Sequence, residues 1–260
     1  MRRGIALAGT ITVEEIKTVH SYPNESELAA ITSIGRSVGG LVNNCAIGLA
    51  KIDNELPLEV IALIGEDEKG DYINECLGQH GNIDRTQLIR KGDTAFTDVF
   101  QNVTNNTRTF FAYKGNSDLF DVDTIDFSKL KAKILHIGYI LLLDTLDQSD
   151  DVYGTKMARL LKKAQDYGIK TSIDVVSENS DRYKLVLHSL PYTDYCIVNE
   201  IEAGKTVEIE LRDKNDQLIT ENLKPALKKL KELGVKEWVV IHVPEGSFGY
   251  DGTEFFSIPS

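Results

Sequence analysis

Between residues 130 and 243, short strand-like apolar runs alternate with amphipathic helical stretches, and no other feature of this chain restricts its fold as strongly. LKAKILHIGY (130–139) reads as a strand. Tyr153, Met157, Leu160, Leu161, Ala164 and Tyr167 then recur at helical spacing, Gly168 stops the helix, and IKTSIDVV (169–176) is strand-like again. TDYCIVN (193–199) supplies a further strand. Leu223, Leu227, Leu230 and Leu233 mark a second amphipathic helix, Gly234 ends it, and EWVVIHV (237–243) follows. Strands separated by helices that cross back over them predict a parallel sheet covered by helices.

The first half mixes two periods. IALAG (5–9), a helix over 41–51, LEVIALIG (58–65) and the helical EKGDYINECLGQHG (68–81) continue the α/β pattern. TAFTDVFQNV (94–103) and TRTFFAY (107–113) instead alternate like half-exposed strands, and Thr104-Asn105-Asn106 between them predicts a hairpin. Together with an extended segment at about 16–37, the stretch at about 94–114 is expected to form a small antiparallel sheet outside the main one, placed to act as a lid. The fold class expected is therefore α/β: a three-layer, doubly wound, mainly parallel sheet with a small inserted β-sheet lid. Length leaves open one large domain or one domain with an appendage, and no low-complexity tract, repeat or Pro/Gly/Ser linker divides residues 1–260, which are read as a single unit.

A formal charge of -11 provides no electrostatic footprint for nucleic acid or an anionic membrane surface, so neither is expected as a partner. Cys45, Cys76 and Cys196 are odd in number and lack metal-ligand spacing, which reads as a reduced, cytoplasmic protein with core thiols. No stretch approaches the ~18 apolar residues of a membrane span.

Ligands of open parallel sheets bind beyond the carboxyl ends of the strands. That rule gathers Thr10, Thr12 and Glu14, residues 136–139, Asp174, residues 199–202 and residues 242–246 on one rim. RSVGGLVNNCAIGLAKI (36–52) reaches the same rim and opens a helix with two adjacent glycines. Glycine there costs about 1 kcal/mol relative to alanine, so the pair implies a close backbone approach or a positive φ. His136 reads as a strand-end histidine and not as a ligand. Asn199 and Glu202 have the spacing of an N-cap asparagine with an N3 glutamate.

Four stretches in order, GTITVEE, GGLVNN as G-G-x-x-x-N, GEDEKGDYI as G-x-D-x-x-G-x-x-x and NEIE as N-x-x-E, make the chain resemble the ribokinase-like, or PfkB, family of carbohydrate kinases from about residue 4 to the C-terminus. The resemblance implies ATP-dependent phosphorylation of a primary hydroxyl on a sugar or sugar-like substrate, with ATP and Mg²⁺ as cofactors. It implies sugar contacts at Gly39, Gly40 and Asn44, and at Thr12 and Glu14, where the family commonly has asparagine and aspartate. Arg108 and Asn116, in RTFFAYKGN, lie in a stretch like the family's sugar-covering hairpin, with Phe110 or Phe111 placed to stack on a ring. Asp174, Arg182, Asn199, Glu202 and Gly246 match nucleotide and phosphate positions, and Glu202 is also the metal residue, holding Mg²⁺ through water.

The family's late G-A-G-D motif, which supplies the base and an anion hole, has no counterpart here, so no catalytic residue is nominated. T-x-G-x-x-G is altered to His242-Val243-Pro244-Glu245-Gly246-Ser247. The expectation is a C-terminally truncated kinase, inactive alone; the alternative is a noncatalytic sugar or nucleotide binder with a regulatory or scaffold role. A lid sheet with open edges also suggests a homodimer. A dinucleotide-binding reading fails, because Gly35, Gly39 and Gly40 do not form G-x-G-x-x-G after the first strand.

Overall fold

The computed structural model describes residues 2–260. In chain order, β1 (Ile5–Gly9) leads into β2 (Thr12–Val19) and β3 (Ile31–Gly39), then α1 (Gly40–Ile52), β4 (Leu58–Ile64), α2 (Glu68–Gly78) and β5 (Ile83–Arg90). β6 (Phe96–Asn102) and β7 (Thr107–Tyr113) precede β8 (Ile134–Ile140), the single turn α3 (Asp144–Asp147) and the two-residue strands β9 (Ser149–Asp150) and β10 (Gly154–Thr155). α4 (Lys156–Asp166), β11 (Lys170–Val175), the short α5 (Lys184–Leu187), β12 (Tyr195–Asn199), α6 (Glu200–Val207) and α7 (Thr220–Glu232) follow, and β13 (Trp238–Val243), β14 (Gly246–Tyr250) and β15 (Phe255–Pro259) close the chain.

The main sheet has nine strands in the order β15-β14-β13-β12-β11-β8-β1-β4-β5. From β13 to β5 every neighbouring pair is parallel, and β14 and β15 add an antiparallel edge. One face packs on α4, α6 and α7. Met157, Leu160, Leu161 and Ala164 of α4, and Leu223, Ala226, Leu227 and Leu230 of α7, are buried there at the helical spacing visible in the sequence. Thr155 caps α4 by accepting the Ala158 N–H, and Gly168 and Gly234 follow α4 and α7 with φ of +71° and +120°. The other face packs on α1 and α2 through Leu7, Leu58, Val60 and Ala62. Beyond α1, that face opens into an apolar cleft of about 450 Å³ lined by Leu49, Ile134, His136 and Ile197 among others.

The lid is a separate four-stranded sheet in the order β3-β2-β6-β7. Two expectations change here. The β2–β3 hairpin pairs from Thr12↔Gly39 outward, so the lid segment is longer than 16–37, and β2 runs parallel to β6, so the sheet is mixed and not antiparallel. The reason is topological: β2 leaves the end of β1 and β6 follows β5, so both strands run outward from the main sheet in the same direction. The β6–β7 turn falls at residues 103–106 with Asn106 at φ +55°, as the asparagine pair predicts. β5, written as IDRTQLIR, and the β14–β15 hairpin are strands that periodicity did not reveal. No helix among the described residues is long and apolar enough to cross a membrane.

Candidate active site

The twin glycines solve two separate problems where β3 turns into α1. Gly40 has φ +83°, and a Cβ on it would lie 2.6 Å from the Thr10 carbonyl oxygen and 2.9 Å from Ile11 Cα. Only glycine fits, because Thr10 is itself fixed: its N–H donates to the Gly138 carbonyl at 2.9 Å and its own carbonyl accepts the Val42 N–H at 3.1 Å. Gly39 is extended, at φ -126°, so its backbone tolerates any residue. A Cβ there would instead meet the Glu14 carboxylate, 2.7 Å from Cδ. Glu14 is half-buried on β2, and its Oε2 accepts a hydrogen bond from Ser37 Oγ at 3.2 Å. The structure thus brings Thr12, Glu14, Gly39 and Gly40 to one corner and adds Ser37, which the sequence did not single out.

The asparagine pair divides its work. Asn43 is 7% exposed and donates from Nδ2 to the Val38 carbonyl at 2.7 Å, bracing the β3–α1 turn. Asn44 is exposed and lines the open cleft beside Cys45, His136 and Ser172.

Tyr139 joins this corner to the next. Its N–H donates to Thr10 Oγ1 at 3.5 Å, and burial, then the charge of Asp174, with Cys45, Glu202 and Glu14 adding to it, pushes its hydroxyl above the usual range. Asp174 stands at the end of β11; burial and the Glu202 charge push its carboxyl up to about 7, although Oδ1 accepts the Val175 N–H at 2.8 Å. Burial, aided by Asp174, takes the Cys45 thiol up to about 11. His136 lies deeper on the same face, hydrogen-bonded to Ser172 Oγ at 2.9 Å and pushed down to about 4 by burial, so it is neutral.

At the far end, Asn199 and Glu202 form a complete capping box on α6. Asn199 Oδ1 accepts the Ile201 and Glu202 N–H groups, both at 2.9 Å, and Glu202 Oε2 accepts the Asn199 N–H at 3.0 Å. Glu202 Oε1 accepts from Asn199 Nδ2 at 2.7 Å and from Ser177 Oγ at 2.8 Å. At 4% exposure burial outweighs these bonds and raises the carboxyl. No group of three or more His, Cys, Asp or Glu side chains among the described residues forms a direct metal cage. Asp174, half-buried, and Glu202, buried, are both raised by burial and supply the carboxylate oxygens that a hydrated Mg²⁺ would accept.

Four nominated residues sit elsewhere. Arg108 shares the lid face of Glu14 by register but lies four residues along β7 from the Glu14↔Thr97↔Ala112 row, roughly 13 Å out toward the hairpin tip. The same register separates the two phenylalanines: Phe110 is on the Glu14 face, whereas Phe111 is on the opposite one, edge-on to Phe100 at 5.7 Å. Asn116 is 1% exposed and donates to the Lys91 carbonyl at 3.1 Å, which makes it a support at the base of the lid and not a wall of the cleft. Arg182, expected on phosphate, has its guanidinium engaged by both Glu178 oxygens and the Leu141 carbonyl. Gly246 opens β14 with φ +154°, where a Cβ would collide with the Ile258 carbonyl, so the neighbouring strand explains the glycine.

The sequence profile described as pfkB family carbohydrate kinase matches residues 4–260. Comparison with the curated proteins finds no match. Among solved structures, the fold is similar to ribokinase from Thermotoga maritima, at 20% identity and a TM-score of 0.74 over 99% of this chain and 78% of that one. It is similar also to Arabidopsis thaliana ribokinase complexed with ribose and ATP, at 16% identity and a TM-score of 0.72 over 100% and 78%. A nucleoside kinase from Methanocaldococcus jannaschii aligns at 17% identity and a TM-score of 0.68 over 99% and 76%.

Proposed function

The chain belongs to the pfkB family of carbohydrate kinases, and from that premise we propose that it serves ATP-dependent phosphorylation of a primary hydroxyl on a sugar or sugar-like substrate. The observation that carries this reading is the packing of Glu14, Gly39 and Gly40 at one corner, joined through Thr10 to Tyr139 and through Gly138 to Asp174, at the root of a separate lid sheet. Glu14 and Asn44 bind sugar hydroxyls, Gly39 and Gly40 let the backbone come close, and Phe110 is the lid aromatic that faces the substrate. Glu202, with Asp174 beside it in the acidic set, would hold Mg²⁺ through water, and the metal would supply charge neutralisation at the phosphates. Arg182, Asn116 and Gly246 act as supports.

A noncatalytic binder is the second reading, favoured by the capping box that already occupies both Glu202 oxygens. A coupled assay for ADP release across pentoses, hexoses, keto-deoxy acids and nucleosides, run beside calorimetry, separates the two. Turnover supports the kinase, binding without turnover supports the second reading, and neither binding nor turnover on any of them overturns both.

The lid supports a further proposal, a homodimer. Its edge strands β3 and β7 are largely exposed, with Ile34 and Phe110 at 73% and 60%. A monomer by light scattering at micromolar concentration would refute it. Three unpaired cysteines fit a reducing cytoplasm.

A further inference from the structure

The turn that follows β8 is built against the usual rules. Leu142 N–H closes it onto the Tyr139 carbonyl at 3.2 Å, and its third residue, Leu141, has φ +76°. Glycine or asparagine normally takes that position, because a Cβ crowds the backbone there. Leu141 is fully buried, and both of its backbone polar groups are bonded to charged side chains from other segments. Its N–H donates to Asp147 Oδ1 at 3.2 Å and its carbonyl accepts from Arg182 Nη2 at 2.6 Å.

These two side chains are themselves paired. Asp147 is 7% exposed, and its Oδ2 has no hydrogen-bond partner among the described residues; Arg182 Nη1, at 3.5 Å, is the charge that compensates it. Arg182 is oriented in turn by Glu178, at 3.0 and 2.7 Å. Glu178 directly follows Ser177, which donates to Glu202. On the other side Asp147 ends α3, whose first residue Asp144 accepts from Lys114 Nζ at 2.6 Å, and Lys114 follows the last residue of lid strand β7. A left-handed leucine, a buried carboxylate without a hydrogen-bond partner on one oxygen and an arginine engaged on both sides are three departures that meet at one turn, and each is compensated by the others.

We propose that Arg182 and Asp147 form a positioning clamp that holds the Tyr139–Leu142 turn in its left-handed form, fixes Tyr139 beside Thr10 at the glycine corner and, through Asp144 and Lys114, joins that turn to the lid. The clamp deepens the kinase reading and rests on it only for the ligand whose binding moves the lid. Lys114 to Asp144 is a half-exposed pair, so the joint is a modest coupling of a few-fold and not a rigid rod.

Hydrogen exchange on the full chain tests both parts. Without ligand, Arg182→Ala is expected to speed exchange of residues 139–147 tenfold or more while β11 and β13 are unchanged, and Arg182→Lys is expected to restore part of the protection. Uniform loosening everywhere, or none at 139–147, overturns the clamp. If Arg182→Ala fails to fold, Asp147→Asn replaces it: the amide oxygen still accepts the Leu141 N–H, so exchange is expected to rise a few-fold at 178–182, and no change there overturns the pairing. With ribose and ADP as probes, the unmodified chain is expected to gain protection at 107–113 and 139–147 together, whereas Lys114→Ala gains it at 107–113 alone. Equal gains at 139–147 in both chains overturn the joint. If the probes protect nothing, ribose as the sugar is disfavoured, the ligand-free Arg182→Ala result still decides the clamp, and ligand-free Lys114→Ala decides the joint: loosening at 139–147 supports it and no change overturns it.

Discussion

Replacing Gly39 and Gly40 by alanine, one at a time, is expected to produce two different failures from neighbouring positions. Gly40→Ala forces a Cβ into φ +83° and against backbone at Thr10 and Ile11, 2.6 to 2.9 Å away. The left-handed conformation alone costs about 1–2 kcal/mol. Thr10 cannot yield without weakening its bonds to Gly138 and Val42, so the total loss of stability is about 2–4 kcal/mol. Gly39→Ala meets only the Glu14 side chain, whose carboxylate must swing away and release Ser37. That loss, about 0.5–1.5 kcal/mol, is offset by about 0.4–1 kcal/mol from the stiffer unfolded chain, so folding is nearly unchanged. Sugar affinity, however, should fall by about 1–3 kcal/mol, roughly 5- to 150-fold, because a displaced carboxylate leaves substrate hydroxyls unpaired. Urea denaturation and calorimetry against the sugar that binds the unmodified chain would measure both quantities. Equal destabilisation by the two changes would refute the account of the turn. Unchanged sugar affinity in Gly39→Ala would refute the assignment of Glu14.

Asn44→Ala should weaken sugar binding by about 1–3 kcal/mol with little effect on folding, since the side chain is exposed; calorimetry that finds equal affinity removes Asn44 from the site. Glu202→Gln keeps most of the capping geometry and should lower stability by about 1 kcal/mol or less while reducing ATP turnover and shifting its Mg²⁺ dependence; in a chain shown to turn over, an equally active variant would leave Glu202 a cap alone. His136, held at about 4 by burial, binds its proton less readily folded than unfolded, so stability should fall as pH drops from 6.5 through 4, by about 3 kcal/mol at most. Chemical denaturation across that window should find the slope flattened in His136→Gln, and an unaltered slope would assign the effect to other groups.

Much of the fold is legible in the residues. Met157, Leu160, Leu161 and Ala164, and Leu223, Leu227 and Leu230, repeat at 3.6 because each helix has one buried face, and glycines follow both helices at positive φ. Lid strands β6 and β7 are equally plain, since alternation and an Asn-Asn turn are local signals. β5 is not, because its charged residues face outward on an edge strand and dilute the apolar pattern. The parallel pairing of β2 with β6 is likewise hidden, since nothing within either strand records the direction in which the other leaves the main sheet.

The site divides along the same line. The glycine pair and the Asn199–Glu202 box stand out because each is a short-range pattern with a chemical meaning, whereas Glu14 is reached through its place after the first strand and the family resemblance. Which asparagine braces the turn and which lines the open cleft, which phenylalanine shares the Glu14 face of the lid, and the engagement of Arg182 by Leu141 and Asp147 are decided only in the folded chain. Periodicity and capping are written in near neighbours, because a helix or hairpin satisfies its own backbone within a few residues. The surroundings of a side chain are not, because Leu141 meets a partner 41 residues away and burial sets the charge state of Asp174 only once strands from distant parts of the sequence have closed around it.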